Sequence, residues 1–249
     1  NTLWAFATLG LQPGSSLVSA LITRSVVVQK DFNPQDIANT FWALASLGVQ
    51  PGKQLEDALN QQAIVVQHEF NSQNIANLLW ALATLGLLPN KQLVSALTAQ
   101  ALVRKDLNPQ DISNSLWAFT TLGIQPDTKL VAMMTDAWIV SGNFKSQDIG
   151  NMLWAACFLS IHSPTAACQL IRVLAPHHNT ITLDDIQKCN FHYLNQLHQF
   201  FVACGVDESL RTGLPVSILA LKETLGPACH QAFVNEDTKP SKSQQQVSQ

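Results

Sequence analysis

The chain has 249 residues, 47% of them hydrophobic and 12% charged, and a formal net charge of −3. It holds no run of about 18 apolar residues to span a membrane. Residues 1–175 carry nine Lys/Arg against ten Asp/Glu, unlike the broadly basic surface of a non-specific nucleic-acid binder.

A tryptophan recurs at Trp4, Trp42, Trp80, Trp117 and Trp154, at intervals of 38, 38, 37 and 37 residues. A fixed period of this size marks a stacked repeat array. The chain opens inside a first copy, at Asn1 and without an initiating Met, as expected of a fragment or a processed form. The second copy runs from Asn33 to Gly48 and predicts a helix. Asn33 is a good N-cap, Pro34 suits the first helical position, and Asp36 faces the positive end of the helix dipole. Gly48 can end the helix in the left-handed conformation, with apolar Val49 and then Pro51 behind it. Leu55, Ala58, Leu59, Ala63 and Val66 then recur at helical spacing and predict a second helix. Asn71–Gly86 and Asn108–Gly123 repeat the first helix, and Leu93, Ala96, Leu97 and Ala101 repeat the second. The last clear copy, Lys145–Ser160, lacks both the capping Asn and the terminal Gly, and His162-Ser163 adds one residue to its turn. The expected fold is all-α, a solenoid of helix–turn–helix units over residues 1–175.

Beyond the array, Phe191 stands where the next Trp is due, and a longer helix is expected from about Thr182 to Ala203. Residues 176–234 read as an atypical helical cap, which the end of a solenoid requires. Residues 235–249 are rich in Gln, Ser and Lys and read as disordered in isolation. The five cysteines, Cys157, Cys168, Cys189, Cys204 and Cys229, contain no Cys-x-x-Cys pair. They suit small core thiols in a reducing compartment: an organelle matrix or stroma, a bacterial cytoplasm or a host cytosol. Cys189, His192, His198 and Cys204 lack the tight paired spacing of a structural zinc site, so no metal is expected.

The first helix of each copy is apolar nearly all round and so buried on most sides. Only Gln35, Asp36, Asn39, Thr40, Ala43 and Ser46 form a polar or small stripe open to a partner. Its alanine recurs as Ala5, Ala43, Ala81, Ala118 and Ala155. Asn1, Asn39, Asn77, Asn114 and Asn151 always stand three residues before the Trp. They are either a row of amides for base edges or a structural ladder tying one repeat to the next. Their invariance favours the ladder. The next position varies, as Thr2, Thr40, Leu78, Ser115 and Met152, as base-selecting sites do and as drift also produces. Gln35, Gln73, Gln110 and Gln147 in the first turn suit either reading a base or bonding a free N–H at the helix start, and the structural role is favoured. Lys53, Lys91 and Lys129 recur where a second helix starts, against its dipole, either tracking phosphates or decorating a solvated turn. Arg24, Arg104, Lys105 and Arg172 extend that positive edge. The Trp ladder reads as inter-repeat core rather than as a stacking platform. Trp138, off the ladder, is expected at the surface.

Period and motif together, Pro-Gln-Asp-Ile before Asn-x-(Phe/Leu)-Trp-Ala and a terminal Leu-Gly, resemble the octotricopeptide repeat over residues 1–175. That resemblance implies a helical-hairpin array that binds particular RNAs in chloroplasts or mitochondria and supports their maturation, stability or translation. The Ser241–Gln249 end resembles the segment that precedes a RAP domain in many such proteins. The expectation is therefore sequence-selective binding of single-stranded RNA, without catalysis, cofactor or small-molecule substrate. The alternatives are a protein-interaction scaffold, such as a bacterial effector docked on a host protein, and the RNA-binding part of an enzyme whose catalytic domain lies beyond residue 249.

Overall fold

The computed structural model describes residues 2–142 and 144–162, together with isolated helical positions between 167 and 234. Those described residues contain helices and no strand: α1 (Thr2–Thr8), α2 (Ser15–Val28), α3 (Pro34–Leu47), α4 (Lys53–Val65), α5 (Ser72–Leu85), α6 (Lys91–Val103), α7 (Pro109–Thr121), α8 (Thr128–Ser141) and α9 (Ser146–His162). No helix among them is long and apolar enough to cross a membrane. The chain divides into two compact units, Asn1–Gly142 with α1–α8 and Asn143–Gln249 with α9. The region read as a cap, 176–234, and the tail, 235–249, lie outside the described residues apart from the isolated positions.

Local chemistry fixes the helix ends. The Asn33 side chain accepts the Asp36 N–H at 3.0 Å, and Asp36 accepts the Asn33 N–H at 3.2 Å, a reciprocal capping box. The Asn71 and Asn108 side chains cap α5 and α7, accepting from the N–H groups of Asn74 and Asp111. In α9 the Lys145 side chain has no acceptor to offer, and only the returning half of the box remains, the Lys145 N–H donating to Asp148 at 3.0 Å. At the other end Gly48 has φ 66°. This lets the Val49 N–H reach back to the Leu44 carbonyl at 2.9 Å, and Leu87 and Ile124 make the same bond to Leu82 and Phe119. Where Ser160 stands in place of this glycine, α9 runs on to His162.

Within the first unit, α1, α3, α5 and α7 pack side by side, each on the next, while α2, α4, α6 and α8 form a second, looser row. Ile37, Phe41, Leu44, Leu78, Leu79, Leu82, Ile112 and Leu116 are wholly buried, each worth about 1.5–3 kcal/mol of transfer free energy. The alanine expected on the open stripe is buried instead. Ala43, Ala81 and Ala118 expose nothing, because a methyl group is what lets neighbouring first helices approach closely. Trp138, expected at the surface, is likewise fully buried. It occupies the register position at which α4 and α6 carry Gln62 and Gln100.

Those two glutamines tie successive copies together. Gln62 Nε2 donates to the Lys30 and Phe32 carbonyls at 3.1 and 3.0 Å. Gln100 Nε2 donates to the His68 and Phe70 carbonyls, both at 3.1 Å. Each satisfies two carbonyls of the preceding link that packing would otherwise leave unpaired.

Candidate functional site

The open face of the first-helix row is one stripe repeated. On α3 the residues that keep exposure along one side are Gln35, Asn39, Trp42 and Ser46; on α5 they are Gln73, Asn77, Trp80 and Thr84. The spacing i, i+4, i+7, i+11 puts each set on one helix face. On α7 Gln110, Asn114 and Thr121 continue it, but Trp117 is closed, 2% exposed. The Asn39 and Asn77 amides are half-buried and make no hydrogen bond among the described residues. Trp42 and Trp80 stand side by side, ring centroids 6.5 Å apart and planes tilted by 36°. Helices α1, α3, α5 and α7 carry no Lys or Arg. The stripe is therefore neutral, made of amides, indoles and hydroxyls.

Other expected contact residues lie elsewhere. The Thr40 hydroxyl is turned inward and donates to the Asp36 carbonyl at 2.7 Å. Leu78 and Ser115 are buried, 0% and 1% exposed, so they shape packing and present nothing to solvent. In the second unit Asn151 and Met152 are buried on α9. Lys53, Lys91 and Lys129 are all exposed at the starts of α4, α6 and α8. Lys53 is not a bare charge: it meets Asp57 at 2.8 Å and Glu56 at 3.3 Å, and hydrogen bonds to Asp57 and Glu56 raise its pKa. It shares a cleft with both carboxylates, Asn60 and Lys91. Arg104 is likewise engaged, Nε to Asp106 at 3.1 Å. Arg172 and the cysteine–histidine set at 189–204 lie outside the described residues. Among the described residues no cluster of His, Cys, Asp and Glu could hold a metal ion. The Cys229 thiol is pushed up to about 11 by burial, which leaves it protonated and inert at neutral pH.

The model of one protein family, the RNA-editing substrate-binding complex 6 protein (RESC6), matches residues 1–164. The chain belongs to that family. The match takes in every clear copy of the Trp motif and all of α1–α9; the octotricopeptide likeness remains one of motif and period. No curated protein matches the chain.

Two features of this family member were not read from its sequence. One is the Gln62–Gln100 tie. Its signal was available: a glutamine recurring 38 residues apart, next to an alanine on the buried face of a second helix. The other is the partial exposure of Trp42 and Trp80, which the apolar surroundings of the motif concealed.

Proposed function

We propose that this chain binds single-stranded RNA along the open face of α3, α5 and α7, as a non-catalytic holding part of an RNA-processing assembly. The family's name refers to a substrate-binding complex for RNA editing, and the chemistry of the stripe supports the same role here. One observation carries the reading. Asn39 and Asn77 offer donors and acceptors with no partner of their own among the described residues, in register and beside partly open indoles. Helices α3 and α5 offer the same set, so each of these two copies accommodates roughly one nucleotide. Lys91 and Lys129, exposed at the starts of α6 and α8, are the cations available to phosphates. Because the amides are invariant and the variable position is buried at Leu78 and Ser115, this face favours an unpaired strand over any particular base order.

The test is retention of a randomised single-stranded RNA pool at near-physiological salt, with Asn39→Ala/Asn77→Ala as the altered chain. Retention of unpaired RNA with a weak motif, and a loss of about ten-fold or more in the variant, fits the proposal. No retention by the native chain removes it, and a sharp motif would restore a base code. A second reading, docking of a protein, has its own observation. Val27, Val65, Val103 and Val140 end successive second helices and are 66–86% exposed, a recurring apolar row of the kind that partners cover. Val65→Thr/Val103→Thr would impair assembly with a partner while leaving RNA retention unchanged.

A further inference from the structure

We propose that Trp42 and Trp80 form a base-stacking platform, so that the chain recognises the faces of unpaired nucleobases rather than the charge of the strand. This inference rests on the RNA-binding reading and specifies the chemistry of that same face. Packing alone does not account for these indoles. Trp117 meets the packing role at 2% exposure, whereas Trp42 and Trp80 keep part of their surface open, and Trp4 on α1 is 42% exposed. At 6.5 Å and 36° the two rings touch as a tilted pair, which leaves neither face fully covered by the other. Each ring is bracketed on its own helix face, by Asn39 and Ser46 or by Asn77 and Thr84. A base laid on the indole therefore has an amide and a hydroxyl within reach of its edge.

Charge points the same way. With no Lys or Arg on α1, α3, α5 or α7 and Lys53 held by two carboxylates, few phosphates can be neutralised. Affinity must come from surfaces that every base possesses, and a π-face is one. Duplex RNA, whose bases already stack on each other, is excluded by the same chemistry. The expected salt dependence is shallow. With about two phosphate contacts to a single strand, affinity falls less than about ten-fold between 50 and 200 mM salt, against roughly three-hundred-fold for a protein holding six.

The experiment compares binding of the full chain to a single-stranded RNA and to an abasic strand of equal length and charge, at both salt concentrations. The expected result is binding of the RNA, at least about ten-fold weaker binding of the abasic strand, shallow salt dependence, and quenching of tryptophan fluorescence by the RNA. Trp42→Leu and Trp80→Leu should each weaken RNA binding about ten-fold, with the Phe variants weakened less. Should a Leu variant fail to fold by circular dichroism, its Phe counterpart and the native quenching decide. Equal binding of both strands, steep salt dependence or absent quenching overturns stacking and leaves RNA binding intact. Binding of neither strand removes the RNA-binding reading itself, and this inference with it.

Discussion

Gln62 and Gln100 show how one side chain can set the joint between repeats. Each is over nine-tenths buried and bonded to two carbonyls of the preceding link. Gln62→Ala removes the donors and strands both acceptors, so about 1–3 kcal/mol of stability should be lost, measurable by urea unfolding. Asp111 and Asp106 supply opposite pH slopes. Burial raises the Asp111 carboxyl to about 6, against the bond from the Asn108 N–H. The folded chain therefore keeps a proton that the unfolded chain has already shed, and this group's contribution to stability falls as pH rises from about 4 to 6. Burial also pushes Asp106 up, but hydrogen bonds from Ser72 and Arg104 outweigh it and hold the group at about 2. Its contribution is present above about 4 and lost as pH falls toward 2. Asp111→Asn keeps an acceptor for the Asn108 N–H and cannot ionise. Thermal melts of this variant should lose the decline between pH 4 and 6 while keeping the one below pH 4.

At the level of the helix, start and stop were legible because the residues involved act locally. A capping Asn, a Pro in the first turn and a Gly with φ near 66° need no knowledge of the rest of the chain. The same locality makes these ends testable. Gly86 has open space where a Cβ would stand, so Gly86→Ala meets no clash and pays only for the left-handed backbone, about 1–2 kcal/mol. Lys145→Asn restores the absent cap of α9 and should raise the stability of its unit by about 1 kcal/mol, read as a shift in the denaturant midpoint. What was not legible is which side of an almost wholly apolar helix stays open. Ala43 and Trp42 are neighbours in sequence, yet the small residue is sealed and the large one is partly open. The outcome depends on how closely adjacent helices approach, a property of the stacked array and absent from any single copy. Trp138 escaped for a related reason. Its burial follows from the slot that Gln62 and Gln100 fill in earlier copies, and only aligned second helices reveal it.

Across the first unit, the period of 37–38 residues set the architecture, since a hairpin that cannot bury its apolar face alone must stack. The candidate face followed only in part. The Asn row was visible as a repeat, but its separation from the buried Leu78 and Ser115 and its continuity with Trp42 and Trp80 emerged from the packing. The near-neutral composition fits the proposed mode of binding, with contacts to bases in place of a phosphate track. The most direct test is ultraviolet cross-linking of the full chain to single-stranded RNA, with the modified peptides mapped by mass spectrometry. The account predicts adducts on the α3 and α5 peptides that contain Trp42 and Trp80, displaced by unlabelled single strands and not by duplex. Adducts confined to the second helices, or none under conditions where RNA is retained, would contradict it.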